Sequence, residues 1–150
     1  MHVYGIVGRR NSGKTHLVTR LVRAAVARGL VVSTVKHAHH AFDVDQPGKD
    51  SWLHREAGAT EVIVGSAERW ALLHENREAA EPSLQELLAR LAPCDLVLVE
   101  GLKRGDHPKL EVWRADCGQP PLGSGDASVE AIATDGSSLP ATGLPQLPLN

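Results

Sequence analysis

A chain of 150 residues with 42% hydrophobic and 23% charged side chains has the composition of one ordinary globular domain, too apolar to stay disordered. A net charge of −2 and an aromatic content of 3% supply neither the positive field nor the stacking platforms that nucleic-acid binding needs. The two isolated cysteines, Cys94 and Cys117, exclude a disulfide framework, and the lack of any apolar stretch of spanning length or signal-peptide pattern leaves the cytoplasm as the expected location, with no membrane partner.

Residues 3–7 are a short apolar run ending at Gly8, the pattern of a buried strand. From Thr15 to about Arg28, Leu17, Leu21, Val22, Ala25 and Val26 recur at helical spacing, and Gly29 follows where a helix commonly terminates. Residues 30–35 are rich in β-branched side chains and read as a second strand, so the first thirty-five or so residues predict a βαβ unit with a parallel crossover. A polar stretch, 37–48, precedes a predicted helix over 49–57. Residues 60–64 and 69–74 read as two strands joined by a short turn, an antiparallel hairpin. Residues 82–91 place Leu84, Leu87, Leu88 and Leu91 on one helical face, with Pro82 suited to the first turn. An apolar strand over 96–99 ends at Glu100-Gly101. Residues 109–114 alternate in the manner of a strand, and 129–133 form a further short apolar run. The stretches 118–125 and 136–148 are rich in Gly, Pro and Ser and read as loop and tail. The expected organisation is a single nucleotide-binding domain over 1–150, whose part from about 115 onward is loop-rich with one short strand.

Gly8-Arg9-Arg10-Asn11-Ser12-Gly13-Lys14-Thr15 matches G-x-x-x-x-G-K-[ST] at every fixed position, with a strand before it and a helix after it. Gly8 and Gly13 let the backbone turn tightly and approach phosphate oxygens without a Cβ in the way. The successive N–H groups through Asn11 and Ser12 form an anion nest at the positive end of the helix. Lys14 supplies a point charge for the β- and γ-phosphates, and the Thr15 hydroxyl is placed to ligate Mg²⁺. Glu100, a carboxylate at the end of a buried strand, stands where α/β folds place ligand contacts. It reads either as a Walker-B-type acid toward Mg²⁺ or as a solvated strand end. Asp95, at the opposite end of that strand, is the weaker candidate.

The stretch 36–51 is the densest in functional side chains. Three readings stay open. Lys36, His37, His39, His40 and Lys49 can contact anions or a partner in a switch-like loop in which Asp43, Asp45 or Asp50 meets Mg²⁺. The histidines can bind a transition metal, though not at the spacing of a closed zinc site. Or the loop is merely solvated. Lys103, Arg104, Lys109 and Arg114 form either a local anion site or an exposed charged face. Asp135, after the apolar run 129–133, can accept two hydrogen bonds from guanine N1 and N2, or serve as a turn aspartate before Gly136.

Together, residues 8–15, Thr34-Val35-Lys36-His37 with His39-His40, Asp43-Val44-Asp45-Gln46-Pro47-Gly48-Lys49-Asp50-Ser51, and Arg55-Glu56-Ala57-Gly58-Ala59 carry a family resemblance. Leu98-Val99-Glu100-Gly101-Leu102-Lys103 and Pro108-Lys109-Leu110-Glu111-Val112 extend it. The sequence resembles the molybdopterin-guanine dinucleotide biosynthesis adaptor protein B family. The resemblance implies a three-layer α/β P-loop NTPase fold with a mostly parallel sheet, to which the hairpin is an extension. It also implies a homodimer that binds GTP with Mg²⁺ and hydrolyses it weakly, assisting the guanylyltransferase that attaches GMP to the molybdenum cofactor, with molybdopterin cofactor itself as a further ligand. Carried over by position, Gly13, Lys14 and Thr15 bind phosphate and Mg²⁺, and Glu100 belongs to the Walker-B strand. The rival functions are an ATP-dependent small-molecule kinase or ligase, and a metallochaperone GTPase built on His37, His39 and His40.

Overall fold

The apolar run at the N-terminus folds as β1 (His2–Gly8), and the glycine loop after it leads into α1 (Lys14–Val26) and β2 (Val32–Lys36), close to the spacing-based bounds. The remaining elements are α2 (Asp50–Glu56), β3 (Glu61–Gly65), β4 (Trp70–His74), α3 (Leu84–Leu88), β5 (Leu96–Glu100), β6 (Lys109–Trp113), β7 (Val129–Thr134) and β8 (Gln146–Pro148). The computed structural model describes residues 1–38, 42–136 and 139–149, so His39 and His40 lie outside the described residues. It divides into two compact units, one of Met1–Ala38 with Leu87–Asn150 and one of His39–Glu86.

The larger unit is built on a six-stranded sheet in the order β2-β5-β1-β6-β7-β8. Every neighbouring pair is parallel. The predicted βαβ unit is present, β1 and β2 running parallel in one sheet, but they are not neighbours: β5 lies between them, with Leu96 in register with His2 on one side and Val32 on the other. The crossover through α1 therefore skips one strand position, which sequence adjacency cannot reveal. Leu17 and Val18 of α1 pack on Ile6, Leu98, Leu110, Val112 and Ala133, which alternate onto one face of the sheet. Burial of each large side chain there stabilises the unit by about 1.5–3 kcal/mol before conformational entropy is set against it.

Strand β6 departs from the expected alternation of buried and exposed positions. All five of its residues are buried, Lys109 and Glu111 completely. Lys109 Nζ donates to the Gly105 carbonyl at 2.6 Å and to Ser128 Oγ, with Asp126 Oδ2 at 3.6 Å. The Glu111 carboxylate accepts the Leu122 and Gly123 N–H groups at 2.8 and 2.9 Å. The face expected to be wet is thus covered by the chain around 105–128, which satisfies each charge. Lys109 accordingly leaves the candidate anion site. The segment read as a tail contributes β8, paired with β7 from Ile132↔Gln146 to Thr134↔Pro148.

In the smaller unit the predicted hairpin is present: β3 and β4 pair antiparallel from Glu61↔His74 to Gly65↔Trp70, forming a two-stranded sheet of their own. Arg55 organises this unit, reaching Glu75 at 2.7 Å, Asp43 at 2.9 Å and Asp45 at 3.2 Å. The helix predicted over 82–91 is shorter, because Arg90 and Leu91 bond back only three residues, to Leu87 and Leu88. Its start is set by Ser83 and Glu86, whose side chains bond reciprocally to each other's N–H groups, so Pro82 precedes the first turn. Among the described residues no helix is long and apolar enough to cross a membrane.

Candidate phosphate site

Between β1 and α1 the chain takes a path that only particular residues allow. Gly8 has φ of 147°, and a Cβ there would stand 2.3 Å from the Val112 carbonyl oxygen, so a side chain is excluded by backbone. Asn11 at φ 61° and Gly13 at φ 100° complete the turn in the left-handed region. Gly13 is the N-cap of α1, where no side chain caps the helix and no acidic residue stands in the first turn, so the N–H groups there are left to an external acceptor. Ser12 is fully buried inside the loop, and its Oγ has no hydrogen-bond partner.

Lys14 folds over this loop, its Nζ donating to the carbonyls of Arg9 at 2.6 Å and Gly8 at 3.2 Å. Loss of water lowers the pKa of this ammonium; Glu100 opposes the shift, while Lys103 and Lys36 add to it. Strand register explains Glu100: it pairs with Ile6 of β1 and Lys36 of β2, which brings the end of β5 beside the loop. The Thr15 hydroxyl donates to Glu100 Oε1 at 2.6 Å, and the carboxylate is buried to 8% exposure. Lys14, Thr15 and Glu100 therefore form one contiguous group, with Lys36 and Lys103 close enough to act on its charge. His37 N–H donates to the Glu100 carbonyl at 2.8 Å, which places its backbone at the same strand end.

These features suit a phosphate-bearing ligand with a hard cation. An uncapped helix N-terminus and a turn without room for side chains suit the anion, and adjacent hydroxyl and carboxylate oxygens are the donors such a cation takes. Asp95 has another task, accepting the Val31 N–H at 2.8 Å.

Asp135 stands just past β7, its Oδ2 3.6 Å from Arg114 Nε, beside a shallow cavity of about 340 Å³ lined in part by Gly136, Leu147 and Leu149. Asp45 and Lys49 belong to the smaller unit. Asp45 accepts the Ser51 hydroxyl at 2.7 Å and the Gln46 N–H at 3.1 Å as well as Arg55, while Lys49 precedes α2 in extended conformation. The Asp43 carboxyl is held below its ordinary pKa by the Asp45 N–H and then by Arg55. Both aspartates thus serve the frame of that unit. The metallochaperone reading leans on His39 and His40, outside the described residues; among the described ones no three metal-ligating side chains gather. Sequence reasoning left Arg114 inside a run of charges. Its one distinguishing signal is position, immediately after a strand that pairs with β1.

Comparison with known proteins identifies the family and the fold. Residues 3–135 match the family described as molybdopterin guanine dinucleotide synthesis protein B. The chain is 42% identical over 127 residues to the molybdopterin-guanine dinucleotide biosynthesis adapter protein of Escherichia coli (strain K12), covering 83% of this chain and 73% of that protein. To the adapter protein of Haemophilus influenzae it is 41% identical over 134 residues, covering 87% and 73%. Among solved structures, the MobB protein homolog from Bacillus stearothermophilus superposes with a TM-score of 0.71 at 29% identity, covering 99% of this chain and 88% of that one. Bacillus subtilis MobB gives 0.72 at 25% identity, covering 97% and 88%. The fold is that of the P-loop NTPases, and the chain belongs to the molybdopterin guanine dinucleotide synthesis protein B family.

Proposed function

We propose that this chain is a cytoplasmic, homodimeric GTP-binding adaptor of molybdopterin guanine dinucleotide synthesis, working beside the guanylyltransferase that joins GMP to the molybdenum cofactor. The observation that carries the reading is the contact of Thr15 with Glu100 at 2.6 Å beside a glycine loop whose buried Ser12 hydroxyl lacks a partner. In this reading the backbone of Gly8, Asn11, Ser12 and Gly13 cradles the phosphates and Lys14 adds charge. Thr15 and Glu100 hold Mg²⁺, which neutralises phosphate charge when bound. Lys36 and Lys103 supply positive charge near the same group, suited to a phosphate on the triphosphate or on the pterin cofactor.

Hydrolysis by the chain alone is expected to be slow, because Lys14, Thr15 and Glu100 grip phosphate and metal and none of them orients an attacking water. Glu100→Gln keeps the shape of the side chain and removes its charge. It should lower Mg²⁺-dependent phosphate release by roughly tenfold or more, the worth of one charge-assisted contact. An unchanged rate at saturating Mg·GTP would remove Glu100 from the metal site.

Asp135 is assigned the guanine edge. Asp135→Ala should weaken Mg·GTP binding by about tenfold and leave Mg·ATP nearly unaffected, since a site built to accept hydrogen bonds discriminates by leaving them unmade. Titration calorimetry with both nucleotides measures it, and equal losses would show that Asp135 does not read the base. The adaptor role is tested by calorimetry of the guanylyltransferase against this chain with and without a non-hydrolysable GTP analogue. Tighter binding with the analogue is expected; equal binding in both states would refute nucleotide gating, and no binding in either would refute the partner.

A further inference from the structure

Strand pairing places Arg114 between the two ends of the proposed nucleotide site. β6 pairs with β1 through Gly8↔Val112 and with β7 through Trp113↔Thr134, so the next residue emerges between the glycine loop and Asp135. Its Nη2 lies 3.7 Å, and its Nε 3.9 Å, from where a Cβ on Gly13 would stand, which seats the guanidinium against the loop. On its other side Nε is 3.6 Å from Asp135 Oδ2, just beyond hydrogen-bond reach, and this buried Nε makes no hydrogen bond. Thr134 Oγ1, next to Asp135, is likewise buried without a partner. A guanidinium offers five donors in a rigid plane. Here that plane, its Nε donor unpaired, stands between an anion cradle and a carboxylate, the arrangement of a group that a ligand finishes.

We propose that Arg114 is a specificity-determining residue that links phosphate binding to base recognition, its guanidinium facing the nucleotide beside Gly13 while it orients the Asp135 carboxylate for guanine. The inference rests on the reading that Asp135 contacts the base. An ordinary surface ion pair would behave differently, since pairs exposed as these two are, at 36% and 26%, contribute little on their own.

The test is a double-substitution cycle read by titration calorimetry with Mg·GTP and Mg·ATP on the wild type, R114Q, D135A and the double variant, with R114K alongside. R114Q should weaken GTP binding by about tenfold and ATP binding by only about threefold, because the GTP loss includes the misplaced carboxylate. In the D135A background the same change should weaken both nucleotides equally, by about threefold. R114K, which keeps the charge without the planar fork, should hold ATP affinity near the wild-type value and still lose part of the GTP preference. Should R114Q lower the melting temperature sharply, R114K decides the matter by itself. Equal GTP and ATP losses in R114Q and R114K, or losses additive with D135A, would overturn the inference. A wild type with no preference for GTP would instead sink the base reading of Asp135 and this inference with it, whereas a guanine-preferring wild type with additive losses would sink this inference alone.

Discussion

Lys14→Ala is expected to weaken Mg·GTP binding by roughly ten- to a hundredfold while the fold persists, the span of one charge-assisted hydrogen bond. The ammonium rests on the carbonyls of Gly8 and Arg9, a loop contact outside the apolar core of the larger unit. Its partial loss of water sharpens the effect, because a poorly hydrated cation gives up less when it meets a phosphate. Stability should change little: two hydrogen bonds to loop carbonyls are lost, and water can replace them at a half-exposed site. Calorimetric titration measures the affinity, and a thermal scan checks the fold. A variant that binds Mg·GTP as tightly as the wild type would sink the assignment of residues 8–15 as the phosphate site.

The largest effect on stability is expected at Glu111. Its carboxylate is completely buried and holds the N–H groups of Leu122 and Gly123. Glu111→Ala leaves two donors inside the fold without an acceptor, each costing about 1–3 kcal/mol, and opens a cavity where the side chain was. The sum of about 3–5 kcal/mol corresponds to a fall in melting temperature of roughly 10 °C for a chain of this length. Glu111→Gln retains one acceptor and almost the whole volume, so it should lose about half as much. Urea and thermal unfolding of both variants make the comparison. A melting temperature for the alanine variant within a degree or two of the wild type would show that the 115–128 segment is anchored elsewhere.

The contrast between Lys14 and Glu111 explains what could be read without coordinates. A phosphate-loop motif is a local pattern: Gly8, Gly13, Lys14 and Thr15 fall within eight consecutive residues, so spacing alone displays them. The place of Glu100 beside Thr15 was legible for a related reason, since a carboxylate ending an apolar strand is a local pattern with a known position in α/β folds. Lys109 and Glu111 defeat the same logic. Their alternation with Leu110 and Val112 assigns them to solvent, and only the later chain, folding back with Ser128, Leu122 and Gly123, makes burial tolerable. β8 carries no signal of its own, being three exposed residues that end in proline and pair on one side only. Nor could the run 43–51 show that Asp45 serves Ser51 and Arg55, because that pairing depends on how α2 is placed. Arg114 was hidden among other charges for the same cause: its neighbours Gly13 and Asp135 come from the loop after β1 and the turn after β7, distant in sequence.

The strand order also bears on when during folding the nucleotide loop acquires its shape. Among the described residues β2 pairs with β5 alone and β1 with β5 and β6, so residues 1–36 contain the whole glycine-loop motif and not one of its strand-to-strand hydrogen bonds. Closing that gap joins segments far apart in sequence, as in His2↔Leu96 and Val32↔Leu96, and the entropy of doing so is met before any contact rewards it. A peptide of the first 36 residues should therefore remain unfolded and ignore GTP. The most legible stretch of the chain is thus among the last to become competent, waiting on strands that the chain supplies much later.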